Sequence, residues 1–294
     1  MKNSKEIDIA QKLIRCKSIA PKDGGTLRIV EKECKAMGFK CTKLRFSEKG
    51  FDTINNLYAE IGNGKPHFSF AGHVDIVPAD KKEWKVDPFE GKIKNNFLIG
   101  RGACDMKSAI ACFLSAAKNY LGENKNFKGK ISIIITGDEE TYAVNGTKKI
   151  LIWLKKKKVK IDNCLVGEPT NLKVLGDQIK IGRRGGFNGT VEVQGKAGHS
   201  AWPSRTINPI PALMKMLNNI DKKILDKGTK HFQPSIISIT SIDVGNEALN
   251  VIPAKARGSF NIRFNPRHTI KSLTKWIKKE FNKVGFKYKL ETYV

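Results

Sequence analysis

The sequence predicts an α/β fold in two parts, and three observations predict it. Over the first half, apolar β-branched runs such as "HFSFAGHVDIV" and "KISIIITG" alternate with helical patterns, as in a three-layer domain whose strands are buried on both faces. Histidine and acidic residues close several of those runs, at the carboxyl ends of strands where open α/β sheets carry their sites. After residue 177 the order becomes β-α-β-β-α-β, the split pattern of a ferredoxin-like α+β domain. The expected domains are therefore residues 1–177 and residues 178–294.

The elements follow in order. "MKNSKEIDIAQKLIRC" reads as an amphipathic helix with Ile7, Ala10, Leu13 and Ile14 on one stripe, and it lacks the apolar core of a signal peptide. A second helix covers about 26–37 and ends at Gly38. Strands are expected near 39–46 and 54–61, then over "HFSFAGHVDIV". Residues 107–121 read as an Ala-rich helix, "KISIIITG" as a strand, "GTKKILIWLKKK" as a helix and "NCLVGEP" as a short strand. In the second part, "GGFNGTVEVQGKAGHSA" reads as strand and loop and "NPIPALMKMLNNI" as a helix. The strands "SIISITSIDVG" and "ARGSFNIRFNP", the helix "TIKSLTKWIKKEFNKV" and the strand "KYKLETYV" complete it.

Composition narrows the function classes. The 294 residues carry 40% hydrophobic side chains, which suits a folded globular protein. No apolar stretch approaches the roughly 20 residues that span a bilayer, so no membrane role is expected and the cytoplasm is the expected location. The six cysteines form no C-x-x-C pair and are expected to be reduced thiols, mostly buried. The net charge of +26 invites a nucleic-acid reading. The lysines, however, are spread along the chain, and the dense "LKKKKVK" run follows a helical segment whose C-terminus favours cations. With no zinc finger, RNP-like strand or basic arm, a solvated basic surface that attracts anionic substrates is expected, with no nucleic-acid partner.

The chemistry sits at strand ends. In "AGHVDIVP", His73 and Asp75 are two apart and share a strand face. Either this is an ordinary strand end, or His73 is a metal ligand with a supporting carboxylate. Asp105, in "IGRGACDMKSA", is either a helix N-cap or a ligand. Glu139 and Glu140, in "IIITGDEET", follow a buried strand, as a charged loop or as site carboxylates, and Glu168 closes "CLVGEPT". Taken together, a histidine and several carboxylates at one end of one sheet suit zinc or a similar divalent ion. A bridging carboxylate would suit a pair of ions, with a spare glutamate as general base.

These segments, with "GRRGGFNGTVEVQGKAGHSAWP" and "NVIPA…NIRF", resemble in order and spacing the dinuclear zinc amidohydrolases and peptidases. The resemblance runs from the opening helix to Val294. It implies a zinc-peptidase-like catalytic domain with an inserted ferredoxin-like lid and dimerisation domain. It implies two zinc ions per subunit, with cobalt or manganese as alternatives. His73 and Glu168 would bind the first ion, Asp105 would bridge the two and Glu140 would bind the second. Asp75 would support the histidine or the base, and Glu139 would be general base and general acid. His199, in "GKAGHSAWP", would reach the partner's site in a homodimer and stabilise the oxyanion. Lys180 and Arg183, in "IKIGRRGG", would bind an anionic N-acyl amino acid together with Asn250 and Arg263.

These features lean to the branch that hydrolyses N-succinyl-L,L-diaminopimelate to succinate and L,L-diaminopimelate, for lysine and diaminopimelate biosynthesis. Deacylation of acetylornithine or another N-acyl amino acid is the alternative, and an inactive binding chain is a third. Two positions depart from that branch: Gly186 replaces a serine, and Trp202, a core or interface aromatic, replaces a tyrosine. Family members also return from the second domain to the first, with a strand, a glycine-rich loop and a last zinc-ligand histidine. Val294 falls before that return, and neither His231 nor His268 matches that histidine. The expectation is a fragment of a longer enzyme, with a separate chain that supplies the missing part, or a genuine short form, as the alternatives.

Overall fold

The computed structural model describes residues 4–221 and 223–293. The chain divides into two compact units, Met1–Gln178 and Ile179–Val294.

The first unit opens with α1 (Lys5–Arg15) and α2 (Thr26–Ala36), followed by β1 (Lys40–Glu48), β2 (Phe51–Asn63) and β3 (His67–His73). A small hairpin, β4 (Lys92–Lys94) and β5 (Phe97–Ile99), precedes α3 (Ser108–Glu123), β6 (Gly129–Thr136), α4 (Thr147–Lys156) and β7 (Asn163–Val166). The acids Glu6 and Asp8 in the first turn of α1, and Lys12 and Arg15 in its last, oppose the helix dipole. Its buried stripe is Ile9, Ala10, Leu13 and Ile14.

The main sheet has the order β1-β2-β6-β3-β7. Strands β1, β2 and β6 pair antiparallel, whereas β3 is parallel to both β6 and β7. Side chains alternate across it with period two. Leu57, Ala59, Ile133, Ile135 and Phe70 face α1, α2 and α3, while Tyr58, Ile134 and Ala71 face Ile150 and Leu154 of α4. Helices thus cover both faces, which is the three-layer arrangement. The central run ends as a strand at His73, four residues short of the apolar segment, because Val74–Val77 continue past the sheet.

The second unit contains β8 (Gly185–Gln194), β9 (Gly198–His199), α5 (Pro209–Asp221), β10 (Ile236–Asp243), β11 (Val251–Ile252), β12 (Lys255–Phe264), α6 (Ile270–Asn282) and β13 (Tyr288–Tyr293). Its antiparallel sheet has the order β10-β12-β8-β13. Numbered along the unit, that is second-third-first-fourth, the ferredoxin-like order. Leu213, Met216 and Leu217 of α5 and Ile277 and Phe281 of α6 pack on Val191, Phe260 and Ile262 on one sheet face. A capping box between Thr269 and Ser272 starts α6. The small pair of β9 with β11 is an element the hydrophobic pattern does not reveal.

The thiols depart from expectation. Cys34 is buried, Cys16 and Cys41 are partly covered, and Cys104, Cys112 and Cys164 are exposed. Cys164 is on the edge strand β7, where the sheet gives little cover. Trp202 is 59% exposed, with the Arg205 guanidinium 5.5 Å over its ring, so it is not a core residue of its unit. No helix among the described residues is long and apolar enough to cross a membrane.

Candidate metal centre

Parallel pairing brings the candidate ligands together. His73 is in register with Thr136 at the end of β6, and Val74 donates its N–H to the Thr136 carbonyl at 2.9 Å. The chain after His73 and the chain carrying Glu139 and Glu140 therefore leave the sheet side by side. On the other flank β7 ends two residues before Glu168.

His73 is 1% exposed. Its Nδ1 is 3.0 Å from the Asp75 carbonyl oxygen and 3.4 Å from Asp75 Oδ1. Both neighbours are acceptors and hold an Nδ1–H, so Nε2 is the nitrogen that a metal would take in place of its proton. Around Nε2 lie Asp105 Oδ1 at 2.9 Å, Glu168 Oε1 at 3.5 Å and Glu139 Oε2 at 3.9 Å. Candidate ligand atoms of His73, Asp105 and Glu168 lie within 4.8 Å of one another, as do those of His73, Glu139 and Glu140.

This arrangement demands positive charge. Two unit charges 4 Å apart interact by about 4 kcal/mol at an effective dielectric near 20. A net hydrogen bond is worth about 1 kcal/mol, so hydrogen bonding alone does not hold these carboxylates together. In the metal-free protein a proton fills the role. Burial opposes a charged His73 ring, but Asp75, Asp105 and Glu139 outweigh it and push its pKa up to about 9. The Glu140 carboxyl is raised by burial and by the charges of Asp105 and Glu139, against the pull of His73. A divalent cation answers the same demand with the N and O donors that zinc and its neighbours accept.

Asp75 is 1% exposed and organises the centre. Its Oδ2 accepts the backbone N–H groups of Glu139 at 2.9 Å and Glu140 at 2.8 Å. Asp75 is therefore not the acid of an ordinary strand end. Asp105 is not a helix N-cap either. Lys107 occupies the residue before α3, and Asp105 has extended backbone (φ −122°, ψ 100°) that turns its carboxylate to His73.

Three supporting residues escape the sequence reading. Met106 is fully buried, and its sulfur accepts the His73 N–H at 3.3 Å. A Cβ at Gly72 or Gly167 would fall 2.6 or 2.7 Å from Met106 Cε, so a side chain before His73 or before Glu168 would have to push the Met106 terminus aside. Lys107 is also fully buried, and its Nζ donates to the carbonyls of Leu13 and Cys16 at 2.9 Å each. It caps the end of α1 and anchors the Asp105 loop. Burial lowers its pKa to about 8, although Cys16 and Asp75 pull the other way. A lysine at the start of a helix, where the dipole disfavours cations, is the signal for it in the sequence. Asp138 is the third, turned away from its acidic neighbours.

The second unit holds the remaining candidates. His199 Nε2 is 3.4 Å from Asn250 Nδ2, and its Nδ1 accepts the Ala201 N–H at 3.1 Å. Arg263 is opposite Gly186 in the β12–β8 ladder, and a Cβ at 186 would come 2.6 Å from its Nη1. Gly186 thus leaves room for that guanidinium where a serine would press on it. Lys180 and Arg183 are exposed in the irregular stretch leading into β8.

The sequence model of peptidase family M20/M25/M40 matches residues 69–292. Succinyl-diaminopimelate desuccinylase of Parvibaculum lavamentivorans is 51% identical over 273 residues, 92% of this chain and 69% of that one. The enzyme of that name from Pelagibacter ubique is 51% identical over 285 residues, covering 97% and 74%. Among solved structures, an M20 family metallo-carboxypeptidase from Sulfolobus solfataricus superposes with a TM-score of 0.71 at 20% identity, covering 99% of this chain and 78% of that one. A dinuclear metal-binding M20 peptidase of Bacillus subtilis gives 0.65 at 16% identity, covering 98% and 72%. The three-layer fold, the histidine and carboxylates at its strand ends and the match over most of its length agree: the chain belongs to peptidase family M20/M25/M40, a family of metal-binding hydrolases.

Proposed function

We infer that the chain is a metal-dependent amide hydrolase that converts N-succinyl-L,L-diaminopimelate to succinate and L,L-diaminopimelate, in lysine and diaminopimelate biosynthesis. The observation that carries this reading is Nε2 of His73 facing three carboxylates, in a chain 51% identical to desuccinylases. His73 and Glu168 would hold one ion, Glu140 a second, and Asp105 would be shared. Zinc suits this set, and cobalt or manganese fit the same donors. When bound, the ions supply Lewis-acid polarisation of the scissile carbonyl and acidify a water molecule.

The protein groups divide the remaining work. Glu139, nearly half exposed and 3.9 Å from His73 Nε2, is placed to take a proton from the attacking water and return it to the leaving amine. Asp75 keeps His73 in the tautomer that leaves Nε2 bare. His199 Nδ1 is taken by the Ala201 N–H, so Nε2, with Asn250 Nδ2 3.4 Å away, is the nitrogen that would face a tetrahedral oxyanion. In this reading it serves the partner's site of a homodimer, residues 178–294 being the lid and dimerisation domain. Lys180, Arg183, Asn250 and Arg263 supply the cations and amide for a substrate with several carboxylates. The compartment is the cytoplasm.

The test is a side-by-side assay on succinyl-diaminopimelate and acetylornithine, with Glu139→Gln as control. The expected result is preference for the succinyl substrate, and loss of about 10²- to 10⁴-fold in turnover in the variant with metal still bound. Preference for the acetyl substrate would reassign the chain to deacetylation.

A further inference from the structure

We propose that Asp138 is a positioning residue for the metal centre, acting through the backbone of Glu139 and Glu140. This rests on the reading of those glutamates as site residues. Three consecutive acids cannot all face one pocket, and the structure separates them. Asp138 is 4% exposed and turns inward. Its Oδ1 accepts from Thr141 Oγ1 at 2.6 Å and from the Ala143 N–H at 3.0 Å, and its Oδ2 from the Asn145 N–H at 2.8 Å. Its own N–H donates to Thr136 Oγ1 at 3.1 Å, tying the loop to the last residue of β6.

The glutamates are therefore held from two sides. Asp75 grips their N–H groups from the β3 side, and Asp138 folds the following turn, residues 141–145, against the sheet. Ala143 has left-handed backbone (φ 53°), which a non-glycine residue adopts only when its surroundings impose it. Here its N–H is held by Asp138. Asn145, 1% exposed, passes the constraint on: its side chain donates to the Asp52 carbonyl at 2.7 Å, and its carbonyl accepts from Asn56 at 3.0 Å. An asparagine at 138 would keep the shape but would have to turn an NH₂ toward one of these donors.

The experiment titrates Co²⁺ into the metal-free full chain and follows its visible absorption, with thermal unfolding of the metal-free protein measured in parallel. Asp138→Asn should weaken Co²⁺ binding by about 10- to 100-fold and change the band shape. Thr141→Val, which removes a single donor, should do so by a smaller factor, and Thr141→Ser should restore the wild-type values. Thr141→Val carries the test if Asp138→Asn does not fold. If both variants lower only the unfolding temperature, with Co²⁺ affinity and spectrum unchanged, the proposal is overturned. A wild-type chain that takes up no Co²⁺ would overturn the metal reading and this proposal together.

Discussion

The carbonyl oxygen and the Oδ1 of Asp75 both face Nδ1 of His73, at 3.0 and 3.4 Å, so one residue holds the other's Nδ1–H and turns Nε2 to the carboxylates. The same Asp75 carboxylate takes two backbone N–H groups from the acidic loop. Asp75→Asn would set an NH₂ against one of these groups while removing the charge. Hydrogen bonds to charged groups are worth about 1.5–3 kcal/mol each, so the variant should lose roughly 2–4 kcal/mol in urea unfolding. It should also bind metal about 10- to 100-fold more weakly. Unchanged metal affinity, measured by calorimetry, would remove Asp75 from the ligand-supporting role.

The raised pKa of His73 gives a pH signature. Its folded value of about 9 exceeds the ordinary 6.5, so the charged ring stabilises the metal-free protein fully below about pH 6.5. That stabilisation fades as the pH rises through 9. A metal must displace this proton, so affinity should climb over the same interval. Uptake near pH 7 should release about one proton from the ring. Calorimetry in buffers of different ionisation enthalpy measures the number, and a value near zero would contradict the assignment.

Gly72 and Gly167 offer a steric test. Alanine at either places a Cβ 2.6 or 2.7 Å from Met106 Cε. Overpacking of this kind costs about 1–3 kcal/mol. Each variant should also weaken metal binding, because the residue that follows is a candidate ligand. Met106→Ala in the Gly72→Ala background should recover part of the affinity, and no recovery would mean that the two side chains do not compete.

Strand β7 is the sheet's edge, paired only with β3 among the described residues, and all four of its residues are exposed. Leu165 and Val166 are 49% and 56% exposed. Open apolar edges promote strand addition. Leu165→Lys should reduce concentration-dependent scattering of the purified chain while leaving Co²⁺ uptake unchanged. Equal scattering by both proteins would clear the edge of this role.

Much of the fold was legible because the hydrophobic periods were clear. The apolar run "KISIIITG" marked a strand buried on both faces, and in the structure Ile133 and Ile135 face one layer and Ile134 the other, while the β-α-β-β-α-β order matched the second sheet. At the centre, His73, Glu139 and Glu140 stood out because they end or follow apolar strands, whereas Asp105 and Glu168 lie in loops. What could not be read was the part that depends on packing between distant segments. Nothing local in "CDMKS" says that Lys107 reaches two carbonyls of α1, or that Met106 fills the space above two glycines. Nor does "GDEE" say which acid turns inward, since that depends on donors at residues 141, 143 and 145. The exposed thiols were misjudged because composition cannot locate a sheet edge.

The parallel pairing of β3 with β6 and β7 also sets a timetable for synthesis. His73, which ends β3, and Glu168, two residues past β7, are separated by roughly a hundred residues of chain, which a ribosome takes about 5 to 20 s to add. During that interval the nascent protein holds an imidazole and a growing set of carboxylates without the final strand that aligns them. The candidate ligands of the first unit therefore meet only at the end of that unit's synthesis, when β7 pairs with β3.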